Sequence, residues 1–137
     1  MRKFYIFNIN KNMCILAKDS PYMLYKSFEA IYKSNREDVG IAQNLYEQMT
    51  LRINQTMINN KIYADNKDNH FYYLVNNVHN YYNKYKSEEE KLTVKNSYLL
   101  CEGNTSKPYL LKSLTNYNFF VCDFDNKDYF WLDEICI

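Results

Sequence analysis

Phe119-Phe120-Val121-Cys122-Asp123-Phe124-Asp125-Asn126-Lys127-Asp128-Tyr129-Phe130-Trp131-Leu132 is an apolar run, a polar interruption and a second aromatic run. Branched and aromatic residues bounded by turn formers predict two strands, Phe119 to Phe124 and Tyr129 to Leu132, joined by Asp125-Asn126-Lys127-Asp128. Asp and Asn suit such a turn because they tolerate its backbone angles and hydrogen-bond locally. The same residues superficially copy a calcium loop, with Glu134 at the twelfth position counted from Asp123. Lys127 at position five and Asp128 in place of the glycine at six argue against calcium.

Working back from this hairpin, further pairs appear. Leu92 to Val94 and Tyr98 to Cys101 flank Lys95-Asn96-Ser97 and read as a hairpin. Asn104 to Lys107 reads as a turn, after which Pro108 opens a short helix through Leu111 and Leu114. At the other end, Phe4 to Ile9 and Met13 to Ala17 read as two strands around Asn10-Lys11-Asn12. Ser20 and Pro21 then supply an N-cap and a first helical residue, and Leu24, Phe28, Ile31 and Tyr32 follow helical spacing over residues 21 to 34. A second helix is predicted after Asn35, with Glu37 and Asp38 in its first turn, running to about Met49. Residues 52 to 66 suit a short helix or an irregular crossing, and Phe71, Leu74, Val75 and Val78 suggest a third helix over Lys67 to Val78.

The fold class expected is therefore α/β in the broad sense, more strictly α+β. It is a single domain spanning residues 1–137, a mainly antiparallel sheet built from hairpins with about three to four helices packed on it. A length of 137 residues, 47% hydrophobic and 24% charged, fits one ordered domain. There are 15 Tyr and 8 Phe but two Gly, and two glycines cannot build a phosphate-cradling loop of the Walker or dinucleotide type. A net charge of +1 argues against direct nucleic-acid binding, which draws its affinity from neutralising phosphates. Asn8 and Asn10 interrupt the first apolar run well short of a signal-peptide core or a membrane span, so a cytoplasmic protein that makes no membrane contact is expected. Cys14, Cys101, Cys122 and Cys136 stand apart among apolar residues and read as inert, reduced thiols.

Candidate chemistry is sparse. His70 and His79 have no cysteine or carboxylate at ligand spacing, so neither a metal nor a cofactor is expected. A small hydrolase would need Asp123, His79 or a cysteine in a deep pocket. Glu88-Glu89-Glu90 between Lys86 and Lys91 reads as a solvated turn. Phe71-Tyr72-Tyr73, Tyr81-Tyr82 and Tyr85, interleaved with Lys84 and Lys86, offer a stacking platform for single-stranded nucleic acid, although core and rim packing is the ordinary reading. The second helix is more informative. Val39, Ala42, Tyr46 and Met49 form one apolar stripe for the core, whereas Ile41, Leu45 and Gln48 form a second that is surplus to packing on a sheet and free to meet a partner. The second strand shows a similar surplus, with Met13, Ile15 and Ala17 on one side and Cys14 and Leu16 on the other.

This order of elements, with Phe4-Tyr5-Ile6-Phe7 and Ile9 at the start, followed by the expected hairpin and the Ser20 to Tyr32 helix, and the closing Asp-Phe, polar turn, Tyr-x-Trp-Leu pattern, resembles the sporulation inhibitor of replication family, SirA. The resemblance covers roughly the first third and the last quarter of the chain, and residues 50 to 90 match by element order alone. It implies a non-enzymatic regulator, monomeric when free, that binds the N-terminal domain of the replication initiator DnaA and so inhibits initiation. It also implies a partner-facing surface on the second strand and second helix, at Met13, Ala17, Leu45 and Gln48. Met13 and Ala17 stand where the family pattern has aromatic residues.

Overall fold

A computed structural model describes residues 1–34, 39–115 and 117–133. The predicted terminal hairpin forms as β6 (Phe119–Asp123) and β7 (Asp128–Trp131). The Asp123 carboxylate accepts hydrogen bonds from the Asn126 backbone N–H (3.3 Å) and side-chain amide (2.8 Å). Lys127 takes the left-handed φ of 54° that reverses the chain. Glu134 and Cys136 lie outside the described residues. All five residues of β6 are buried because helices cover both faces of the sheet around it.

β1 (Arg2–Asn8) pairs antiparallel with β6 on one side and with β5 (Leu99–Gly103) on the other. β4 (Glu88–Val94) pairs with β5, β3 (Val78–Asn83) with β4, and β2 (Tyr72–Val75) with β3. The result is one seven-stranded antiparallel sheet in the order β2-β3-β4-β5-β1-β6-β7. The expected α+β class, with an antiparallel sheet built largely from hairpins, is what the chain forms; five helical segments are defined among the described residues.

Alternation along the strands divides the core in two. Phe4, Ile6, Phe119 and Val121 point to one face, where they meet Ile58 and Ile62 of helix α4 (Gln55–Asn66) and Leu110, Leu111 and Leu114 of a 3-10 helix (Tyr109–Leu114). Phe7, Ile9, Phe120 and Cys122 point to the other, beneath α1 (Lys11–Ala17), α2 (Pro21–Tyr32) and α3 (Val39–Met49). Ser20 and Pro21 occupy the first positions of α2 as predicted, although the Ser20 side chain makes no capping hydrogen bond. The expected helix start at Asn35, Glu37 and Asp38 lies outside the described residues.

Three expectations are overturned. Residues 13 to 17 form helix α1 rather than a strand: Asn10 acts as N-cap, its side-chain oxygen accepting the Met13 N–H at 2.8 Å. An uninterrupted apolar run carries no period of its own, so the cap decides. The helix predicted over 67–78 is instead the β2–β3 hairpin, closed by Asn76 and Asn77 with φ of 50° and 62°. Two consecutive positive-φ residues make the turn type whose twist matches a two-residue hairpin, and Asn tolerates it. Finally, Glu88-Glu89-Glu90 opens β4 instead of forming a solvated turn; the chain reverses just before it, with Ser87 at φ 52°.

Candidate functional site

Helix α1 turns its residues on a 3.6-residue period, which redistributes what a strand would have alternated. Met13 and Cys14 are half-buried, Ala17 is wholly buried in the cluster containing Leu24 and Phe28, and Ile15 and Leu16 stand out at 71% and 69% exposure. Ala17 was expected to face a partner and instead faces the core. Ile15 and Leu16 are the exposed aliphatic residues of this element. Asn10, three residues ahead of Met13, was the sequence signal for a capped helix that would have placed them.

From Ile41 onward helix α3 follows its two-stripe pattern; the side chain of Val39, expected on the inner stripe, lies outside those described. Met49 is buried and Ala42 and Tyr46 are half-buried, while Ile41 (73%), Leu45 (36%) and Gln48 are exposed. The beginning of α1 is tied to the end of α3. The Asn10 N–H donates to the Met49 carbonyl (3.0 Å), the Asn10 side-chain amide to the Gln48 carbonyl (2.5 Å), and the Leu51 N–H to the Asn8 carbonyl (2.9 Å). These bonds set the first turn of α1, carrying Met13, beside the last turn of α3, carrying Gln48. The structure thus brings Met13, Leu45 and Gln48 to neighbouring helices and withdraws Ala17. Leu51, 54% exposed, extends the apolar surface past α3.

The polar groups nearby are held in place. On α2 the Glu29 carboxylate accepts from the Tyr25 hydroxyl (2.9 Å) and the Lys26 ammonium (2.9 Å), with Lys33 at 3.5 Å. The Lys26 and Tyr25 hydrogen bonds, chiefly, hold its carboxyl down to about 2. Glu29 is therefore a carboxylate fixed by its neighbours.

Residues considered for catalysis are not brought together. His79 is fully buried, its Nε2–H donating to Asn59 Oδ1 (2.8 Å) and its Nδ1 accepting from the Tyr72 hydroxyl (2.7 Å), and burial pushes its pKa down to about 4. Asp123 lies on β6, with three strands between it and His79 on β3. Arg2 Nε donates to Asp123 at 2.8 Å, and Arg2 also reaches Asp128 at 3.0 Å. Cys101 and Cys122 are buried, and desolvation raises both thiols far above their ordinary range. Among the described residues no group of three or more His, Cys, Asp or Glu side chains is placed to hold a metal ion, and no helix is long and apolar enough to cross a membrane.

The aromatic residues weighed for stacking divide. Tyr72 and Tyr81 are buried, whereas His70, Phe71, Tyr73, Tyr82, Lys84 and Tyr85 surround one surface groove of about 460 Å³. Glu89, directly opposite Tyr82 in the β3–β4 register, places a carboxylate on the same face.

No protein-family model matches the chain, and a search of curated proteins finds no match.

Proposed function

We propose that this chain is a cytoplasmic protein-binding regulator that inhibits the initiation of DNA replication by binding the N-terminal domain of the initiator DnaA, without catalysing a reaction. The observation that carries the reading is the exposure of aliphatic side chains on two helices whose ends are tied together: Ile15 and Leu16 on α1, and Ile41 and Leu45 on α3, which also exposes Gln48. Scattered exposed aliphatics are ordinary, but several on two helices tied together through Asn10 suit an interface whose energy is concentrated in a few apolar anchors. The resemblance to the sporulation inhibitor of replication family supplies the partner; it implicates a second strand and a second helix, and the segments concerned are helices α1 and α3 here. Met13 contributes from the side of α1, and Ala17 acts through the core.

Calorimetric titration of the isolated N-terminal domain of DnaA from the same organism tests this directly. Association at tens of micromolar or tighter, about −6 kcal/mol or better, is expected. Leu16→Glu and Leu45→Ala should each weaken it by about 2 kcal/mol or more. Absence of binding by the wild-type chain would end the reading; equal binding by both variants would move the surface elsewhere.

A second reading, single-stranded nucleic-acid binding, is favoured by the groove lined by Tyr73, Tyr82, Tyr85 and Lys84. Base stacking there predicts oligonucleotide affinity that falls steeply with salt and is lost in Tyr82→Ala. The near-neutral charge and Glu89 weigh against it.

A further inference from the structure

Between α3, α2 and the sheet lies a cavity of about 420 Å³ that opens to solvent past the exposed Tyr32, Gln43 and Ser97. Its walls are aromatic: Tyr5 and Phe7 from β1, Phe28 and Tyr32 from α2, Tyr98 just before β5, and Phe124 just after β6. The rings brace one another. Tyr5 lies 5.4 Å from Tyr32, 5.7 Å from Tyr98 and 5.5 Å from Phe124, and Tyr32 stacks on Phe124 at 4.5 Å and Phe7 on Phe28 at 4.1 Å. Walls held by their own packing stay open when empty, as ligand sites generally do. The space exists because α3 presents Ala42 toward it where a larger side chain would fill it.

The lining chemistry limits what would enter. Among the described residues its polar members are phenols, Ser34, Ser97 and Gln43, with no acid, base or histidine in the lining. Burial pushes the Tyr5 and Tyr46 phenols up to about 12, so both stay neutral, the Tyr46 hydroxyl donating to the Ser97 carbonyl. A charged ligand would lose its hydration without gaining a counter-charge from these walls. A flat apolar one would gain ring faces at stacking distance.

From these walls we infer that the cavity is a binding site for an uncharged, planar, largely apolar small molecule with one or two hydrogen-bonding groups at its edge. The volume falls within the range of roughly 300 to 1,000 Å³ usual for small-molecule sites. This assignment rests on the inner faces of the helices and stands independently of any partner on their outer faces.

The probe for the test is N-phenyl-1-naphthylamine, a neutral two-ring compound whose fluorescence rises when it leaves water. Titrated into the full chain, it should give a saturable one-site enhancement. Ala42→Phe, which fills the cavity, should weaken binding at least tenfold, and Tyr32→Ala, which removes a wall, should weaken it severalfold. Leu16→Ser and Ile41→Ser, on the outer apolar surface, should leave it unchanged. Circular dichroism checks that each variant folds. If Ala42→Phe does not fold, intermolecular nuclear Overhauser contacts between the probe and the Tyr5 and Tyr98 rings of the wild-type chain decide the matter. Unsaturable binding, loss of binding in the outer-surface variants with Ala42→Phe unaffected, or absence of those ring contacts would each overturn the assignment.

Discussion

His79 shows how a single buried side chain joins two parts of the fold. Its ring links Tyr72 of β2 to Asn59 of α4, and both nitrogens are satisfied while the ring is neutral. A charged ring would be stripped of water by burial, which is why its pKa falls to about 4. In the unfolded chain the same ring titrates near 6.5. Between pH 6.5 and 4 the unfolded state therefore takes up a proton that the fold refuses, and stability falls as pH falls through that window. Urea unfolding at pH 7 and pH 5 should show the wild type losing on the order of 1 kcal/mol more than His79→Gln, less than the full linkage value because water can reach the half-buried Asn59 end. Asn59→Leu, which strands the Nε2–H, should cost about 1–3 kcal/mol at neutral pH. The pairing of His79 with Tyr72 and Asn59 was not legible in the sequence, because it depends on a hairpin that the apolar pattern had suggested was a helix.

At the scale of elements, α3 behaves as its two stripes require and offers a clean contrast. Met49 is 2% exposed, so Met49→Ala should open a cavity and cost about 2–5 kcal/mol. Leu45→Ala and Gln48→Ala, on the outer stripe, should change stability by less than about 1 kcal/mol in thermal or urea unfolding. A large loss from either would place it in the core and remove it from any partner surface. The 3-10 helix depends on a residue from outside itself. Glu90, buried on β4, accepts the backbone N–H groups of Tyr109 (2.6 Å) and Leu110 (3.0 Å), supplying the cap that Pro108 cannot. Burial raises its carboxyl and those two bonds partly oppose the rise. Glu90→Ala should cost about 1–3 kcal/mol, measured by urea unfolding, because two donors lose their acceptor, while Glu89→Ala, exposed next to it, should cost little. An acidic run looks like a solvated turn until a sheet face and a helix end close over one of its members.

Across the whole molecule, the two clusters on opposite faces of the sheet make burial a sharp distinction for its thiols. Cys101 sits in one cluster and Cys122 in the other, and desolvation disfavours both thiolates. Cys14 is half-buried on α1, its thiol donating to the Ile9 carbonyl at 3.7 Å. Iodoacetamide labelling read by peptide mass spectrometry should therefore modify Cys14 slowly in the folded chain and reach Cys101 and Cys122 on unfolding. Rapid native labelling of Cys101 would contradict the layered core. The sequence by itself determined the antiparallel class, the terminal hairpin, helices α2 and α3 and the division of α3 into inner and outer stripes. Each of these rests on a local period or turn chemistry that neighbours in the chain specify. The helical state of residues 13 to 17 was carried by a local signal, the Asn10 cap, that the apolar run concealed, whereas only packing decided that Ala17 turns inward while Ile15 and Leu16 turn out and that Glu90 and His79 are buried. A continuous apolar run or a cluster of polar residues has no intrinsic side, and it acquires one when a cap, a sheet face or an opposing helix supplies the partner that makes one orientation cheaper than the other.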